Sequence, residues 1–270
     1  MKCYRMGDFA LRWREKENQA LLLAIGNEIY KTILEINYLE LSVSNTITLH
    51  NSYFDWISHI SNIEQKNIPQ INDFFIALQK VLFLYNDLDL CFAISHHMHY
   101  SLYGELERTP IGQLVNQAKP YNRSVTCKNY FYTRRLAEQM YGFLTHQPAF
   151  MQADWIIPSP HHESKKGFDL PETLCNHLSK WCGINNGSHL IIKNRVTTPM
   201  KECFSLSEKQ INIKNAFEIA DPSCVKGRKI LIIDDLYQSG ATLTEISRTL
   251  KKYGALCVYG LCATKTIGDA

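Results

Sequence analysis

Residues 230–242 read ILIIDDLYQSGAT, and this stretch decides how the rest of the chain is read. Ile230, Leu231, Ile232 and Ile233 form an apolar run too short for a helix, and their branched side chains suit a strand buried on both faces. The run ends in two carboxylates, Asp234 and Asp235. A strand that stops there, turns through Leu236 to Gly240 and enters the helical pattern Leu243, Ile246, Leu250 puts both acids at the carboxyl edge of a sheet. Ligands of open α/β sheets bind at that edge. Gln238, Ser239, Gly240, Ala241 and Thr242 then form a phosphate cradle. Gly240 has no Cβ to hold an anion off, and the helix that follows offers N–H groups and a positive dipole end. The carboxylates cannot hold a phosphate, but they can accept hydrogen bonds from sugar hydroxyls and help to hold a partly hydrated Mg²⁺. Phosphate, sugar and magnesium together describe a ribose 5-phosphate ligand.

On these residues the stretch resembles the phosphoribosyl pyrophosphate (PRPP) binding motif of type I phosphoribosyltransferases: an apolar strand, two acids and a small-residue loop. An apolar run ending in Asp-Asp also occurs in the Walker B strand of P-loop enzymes, but GxxxxGK[ST] is found nowhere in the chain. A plainer alternative remains, two acids that only cap the next helix, and the length of the combined pattern weighs against it.

The 270 residues have room for one substantial core and a second, smaller unit, taking about 150 residues per domain. A composition 45% hydrophobic and 20% charged is that of a globular chain. The formal charge of +3 does not by itself imply a nucleic-acid partner, and there is no long block of like charge. No apolar run approaches the roughly 18 residues of a membrane span, and the amino terminus lacks the apolar core of a signal peptide, so a cytoplasmic protein is expected. The nine cysteines are scattered without a CxxC pair and read as reduced thiols.

The first hundred residues carry no recognisable chemistry. Leu22, Ile25, Ile29, Ile33 and Ile36 fall at helical spacing, as do Ile71, Phe74, Phe75, Leu78 and Leu82. Between them Leu39, Leu41 and Val43, then Ile47 and Leu49, alternate about Ser44-Asn45 as a hairpin would. His96, His97 and His99 lie close together, but no second ligand cluster accompanies them, which favours ordinary hydrogen-bonded or solvated histidines over a metal site.

Further on, the chain resembles the ComF family of phosphoribosyltransferase-like competence proteins. The segment Tyr103-Gly104-Glu105-Leu106, then Leu114 to Lys119, then Tyr121-Asn122-Arg123, is similar to that family's leading segment. A helix is expected over residues 130–146. A strand over 153–157 then runs into the rigid Pro158-Ser159-Pro160-His161-His162 loop. The family's pattern here is P-x-P, a basic stretch and RGFNQ. Lys166-Gly167-Phe168 fits it, with Asp169 in place of Asn and Leu170 in place of Gln. His161, Lys165 and Lys166 could neutralise a departing pyrophosphate. Asp169 would have to face away from it. A helix from about Asp169 to Cys182 ends at Gly183, and a second buried strand covers 189–193. Arg195, Thr197, Thr198, Pro199, Lys201, Ser205, Glu208, Lys209, Asn212, Ala216 and Phe217 keep the spacing of a ComF hallmark, with Lys201 where the family has Gln and Lys209 where it has Arg. Gly254 closes the helix after the central stretch, and a strand over 256–263 follows. Strand, helix, strand in that order argues for a parallel sheet. ComF proteins commonly carry an amino-terminal cysteine-rich zinc module; this chain has none.

The expectation is therefore an α/β fold. A type I phosphoribosyltransferase-like parallel sheet flanked by helices would occupy 101–270, and a smaller α+β region, a possible hood over the site, would occupy 1–100. The resemblance implies Mg-PRPP as ligand, with Asp234, Asp235 and Lys166 catalytic. The PRPP contacts would come from Asp234, Asp235, residues 238–242, Ser159, His161 and Lys165, and the acids would hold Mg²⁺, directly or indirectly. The acceptor, a nucleobase for instance, is not legible, and oligomeric state stays open. Two other classes fit the resemblance: a non-catalytic PRPP or nucleotide binder serving DNA uptake or DNA utilisation, and a scaffold bound to a helicase or to single-stranded DNA, with competence or DNA-processing proteins as the partners the family implies.

Overall fold

The structure, a computed structural model, describes all residues except 1, 2, 6, 27, 51, 121–123, 161–167, 199–201, 204 and 268–270. Contacts divide it into a smaller unit, Tyr4–Phe83 with His146–Ala149, and a larger one, chiefly Leu84–Thr145 and Phe150–Ala270.

In the smaller unit, β1 (Phe9–Arg14), β2 (Gln19–Ala24) and β3 (Trp56–Ser61) pair antiparallel in that order, accompanied by helices α1 (Ile29–Asn37) and α2 (Ile68–Gln79). The helical pattern expected from Leu22 begins only at Ile29. Leu22 is buried in β2, on the same face as Ala20 and Ala24, with β1 and β3 paired to its two edges. Leu82 likewise falls past the end of α2, in a short strand. The expected hairpin about Ser44-Asn45 is replaced by two short strands, Ser42–Val43 and Ile47–Thr48, which pair separately with β3. Phe9, Tyr30, Phe75 and Phe74 supply an aromatic core, with Tyr30 edge-on to Phe75 at 5.4 Å. Such contacts contribute beyond the area they bury. Asn37 ties in the returning segment, since its buried Oδ1 accepts from Ala149 N at 3.0 Å.

The larger unit is α/β. Its strands, in chain order, are β4 (Leu90–His96), β5 (Trp155–Pro158), β6 (Asn185–Asn186), β7 (Ile191–Lys193), β8 (Phe217–Ile219), β9 (Lys229–Tyr237) and β10 (Cys257–Lys265). The helices are α3 (Pro110–Ala118), α4 (Cys127–Leu144), α5 (Leu170–Cys182), α6 (Leu206–Ile213) and α7 (Ala241–Lys252). The order β4-β10-β9-β5-β6 is parallel throughout. Ile230 to Ile233 are all buried at 0% exposure, as expected of a strand covered on both faces.

In this larger unit three features differ from the sequence-based expectation. The unit starts near Leu84, not residue 101, because β4 pairs with β10 in the parallel sheet. The strand over 189–193 is not a buried member of that sheet; β7 pairs antiparallel with β8 in a separate ribbon. β9 does not stop at the acids. β10 keeps pairing with it through Leu236↔Thr264 and Tyr237↔Lys265, so Asp234 and Asp235 sit inside the strand and alternate to opposite faces.

Candidate functional site

The carboxyl ends of β5 and β9 open into a cleft of about 280 Å³, lined by Lys119, Ser159, Pro160, Lys193, Thr197, Thr198, Ile213 and residues 234–243. At its centre is the turn between β9 and α7. Gly240 holds φ +76°, a left-handed conformation that costs a residue with a Cβ, and it is the N-cap of α7. In the same unit, Thr109, Asp169 and Ser205 cap α3, α5 and α6 by accepting from Gly112, Glu172 and Glu208 amides. Gly240 gives α7 no side-chain cap. A helix leaves its first N–H groups without intrahelical acceptors, so this end is suited to an external anion.

The two acids take different roles. Asp235 is 3% exposed and makes an ion pair through Oδ2 with the ammonium of Lys119, the residue that ends α3. Asp234 is half-buried and turns Oδ1 to accept the Asp235 amide at 2.9 Å. Thr264 of β10 donates its hydroxyl to the Asp235 carbonyl at 3.1 Å, and His97 Nδ1 lies 3.1 Å from the same hydroxyl oxygen. With the Thr264 proton already committed, Nδ1 must carry the hydrogen of that second bond, which fixes the tautomer of His97.

Burial lowers the pKa of His97 from its ordinary value, helped by the positive charges of Lys119 and Arg108 and opposed by Asp235. A histidine depressed in the folded state contributes stability above its unfolded pKa, and that stability is lost as pH falls through the folded value. The melting temperature is therefore expected to drop between pH 7 and 5, and to drop less in His97→Gln. Identical profiles for the two proteins would contradict this placement of His97.

The hallmark residues act on the wall of the cleft. Arg195 donates to the carbonyls of Asn212 and Lys214 at 2.7 and 2.8 Å, satisfying the end of α6. Asn212 in turn brackets the backbone of Thr198, accepting from its N–H at 2.9 Å and donating to its carbonyl at 2.8 Å. Ser205 and Glu208 form a reciprocal capping box at the start of α6. These residues shape the segment that presents Thr197 and Thr198 to the cleft. Asp169 is occupied as a helix cap, accepting from Glu172 N at 2.9 Å, so its carboxylate serves α5.

Of the expected contacts, Asp234, Asp235, Ser159 and residues 238–242 come together in the cleft. Ser159 is fixed beside β9 by its amide, which donates to the Ile233 carbonyl at 2.8 Å. His161, Lys165 and Lys166 lie outside the described residues. Lys119 and Lys193 were not among the expected contacts, although they are the cations lining the cleft among the described residues. Burial and the nearby Arg195 lower the pKa of Lys193. For Lys119 the sequence signals were its place at the basic end of an amphipathic helix and within the segment that resembles the ComF leading segment.

Residues 194–264, which include β9, α7 and most of β10, match the family described as the phosphoribosyl transferase domain. DNA utilization protein YhgH of Shigella flexneri is 32% identical over 161 residues, 58% of this chain and 68% of that protein. Competence protein F of Haemophilus influenzae is 29% identical over 161 residues, 56% of this chain and 67% of that protein. The match to YhgH of Escherichia coli (strain K12), 32% identical over 103 residues, spans 38% of this chain and 44% of that protein. Among solved structures, the glutamine PRPP amidotransferase from B. subtilis complexed with ADP and GMP aligns with 92% of this chain and 46% of its own, at 13% identity and a TM-score of 0.39.

Proposed function

This chain belongs to the ComF family of phosphoribosyltransferase-domain proteins, and on that membership and its cleft we propose that it binds Mg-PRPP and displaces pyrophosphate at the ribose anomeric carbon. The observation that carries the reading is the amino terminus of α7, entered through left-handed Gly240 without a side-chain cap, beside the acids of β9. The 5′-phosphate takes the backbone N–H groups of residues 239–242. The ribose hydroxyls donate to Asp234. An acceptor nucleophile forms a bond to the anomeric carbon while the carbon–oxygen bond to pyrophosphate breaks, its electron pair leaving with the pyrophosphate. Negative charge from the β9 acids stabilises the positive charge that develops on the sugar.

No group of three or more His, Cys, Asp or Glu arranged to hold a metal occurs among the described residues. Mg²⁺ is commonly held by substrate phosphates, waters and one or two carboxylates, and here Asp234, with Asp235 beside it, would supply the carboxylates. When bound, the ion neutralises charge on the diphosphate. The acceptor is a nucleophile such as a nucleobase, selected outside the shared core.

One observation favours a second reading, in which the chain binds PRPP or a nucleotide without turnover as an accessory in DNA utilisation or competence: Asp235 is already neutralised by Lys119. Calorimetric titration of PRPP with and without Mg²⁺, on the native chain and on Asp234→Ala/Asp235→Ala, tests the site. Magnesium-dependent binding that disappears in the double variant is expected. An absence of binding at millimolar PRPP would overturn the first reading and leave the second only with a nucleotide as ligand. Pyrophosphate release with a panel of bases then separates them.

A further inference from the structure

We infer that Lys119 is a ligand-positioning residue, which grips the diphosphate arm of the ligand while it balances Asp235. The inference rests on the PRPP reading above. Lys119 leaves the end of a helix fixed at both termini. Thr109 caps the start of α3 through Gly112 N at 2.9 Å. At the other end, Asn129 of α4 donates to the carbonyls of Gln117 and Ala118 at 3.2 and 3.3 Å. Lys119 therefore departs from an anchored turn, not from a free loop. Its side chain is 29% exposed where that of Asp235 is 4%, so the pair runs from the buried strand to the cleft wall.

The charges define the task. Asp235 is almost wholly buried, and a buried carboxylate without a cation is costly. A diphosphate arm entering the same cleft meets Asp234 and Asp235, both negative. At contact range that repulsion is strong unless a cation stands between. Lys119 is the cation that lines this cleft in contact with Asp235, and an ammonium is a compact charge that donates in three directions. Its contact with Asp235 thus sets the position from which it meets the phosphate oxygens. The 5′-phosphate, by contrast, depends on the backbone of residues 239–242. The two ends of one ligand should respond differently to loss of Lys119.

The test titrates pyrophosphate and ribose 5-phosphate separately, each with Mg²⁺, into the native chain, Lys119→Met, Lys119→Arg, Asp235→Asn and Lys119→Met/Asp235→Asn. Lys119→Met is expected to weaken pyrophosphate binding by about tenfold or more, the scale of one charge-assisted hydrogen bond, with ribose 5-phosphate affected about twofold or less. Lys119→Arg should retain most of the pyrophosphate affinity. The double variant removes the uncompensated buried carboxylate and so guards against loss of the fold. Its pyrophosphate affinity should stay well below that of Asp235→Asn alone, which loses the acid but keeps the cation. Recovery there would mean that Lys119 only neutralises Asp235, which overturns the inference, as would equal losses for both ligands or none for pyrophosphate. A native chain that binds neither ligand overturns the PRPP reading itself, and this inference with it.

Discussion

Gly240→Val is expected to abolish measurable binding of ribose 5-phosphate while the protein still melts cooperatively. At φ +76° a β-branched residue is a conformational outlier, and the left-handed region costs an ordinary residue about 1–2 kcal/mol. The chain can relieve that strain by rotating the peptides on either side, which re-aims the N–H groups at the start of α7. Losing two charge-assisted hydrogen bonds at about 1.5–3 kcal/mol each predicts an affinity loss of roughly a hundredfold or more. Calorimetry with ribose 5-phosphate reads the loss, and a thermal melt shows whether the fold survives. Binding within a few-fold of the native chain would mean that the phosphate does not sit on this turn. The strain alone would lower the melting temperature by only a few degrees, which is how a site effect is told from unfolding.

How much of this was readable in advance depends on whether the relevant forces are local. The run Ile230 to Ile233 announces a doubly buried strand, and Gly240 a special backbone, because both are facts about neighbouring residues. The α5 boundaries were equally local: Asp169 caps the start, and Gly183, at φ +70°, ends the helix. What the pattern could not reveal was partner choice. Leu236 and Tyr237 belong to β9 because Thr264 and Lys265 pair with them, and nothing between 230 and 242 says how long β10 will be. The same reason hid β4. The run Leu90 to Ile94 is strand-like on its own, but its place depends on β10, far along the chain. Leu22 could serve a helix or a strand by spacing alone, and pairing on both sides decided for the strand.

The site shows the same division. The acids and the phosphate loop are contiguous in sequence and were found together. Lys119 reaches Asp235 only through the packing of α3 on the sheet, so its sequence context looks like an ordinary helix end. The hallmark residues carried the reverse lesson. Arg195 and Asn212 hold the end of α6 and the Thr198 backbone, while Ser205 and Glu208 cap the start of α6, so their spacing serves the local fold. Their spacing shapes the segment that carries Thr197 and Thr198, the hallmark residues that line the cleft.

Gly112→Ala is expected to damage the fold and the site together, although Gly112 is not among the residues that line the cleft. A Cβ at this position would lie 2.0 Å from the His97 carbonyl oxygen and 2.9 Å from its carbon, both backbone atoms. That carbonyl already accepts the Thr109 amide at 3.2 Å, while the His97 amide donates to Lys265 at 2.7 Å. Neither side can yield without breaking the joint between β4, β10 and the first turn of α3. Overpacking of this kind costs about 3 kcal/mol or more. For a unit of this size that is a fall in melting temperature of roughly 6–12 °C. Any α3 shift that relieves the clash carries Lys119 away from Asp235, so ligand affinity should fall even well below the melting temperature. Gly142→Ala is the matched control. Gly142 lies within α4, and among the described residues no atom outside its own helical turns comes within 4 Å of where the methyl group would sit. Alanine there should stabilise by up to about 1 kcal/mol. Opposite signs from one substitution at two helical glycines would locate the cost in the contact with His97. Equal, small effects would show that α3 is free to move relative to the sheet, and with it the ion pair on which the cleft's charge balance depends.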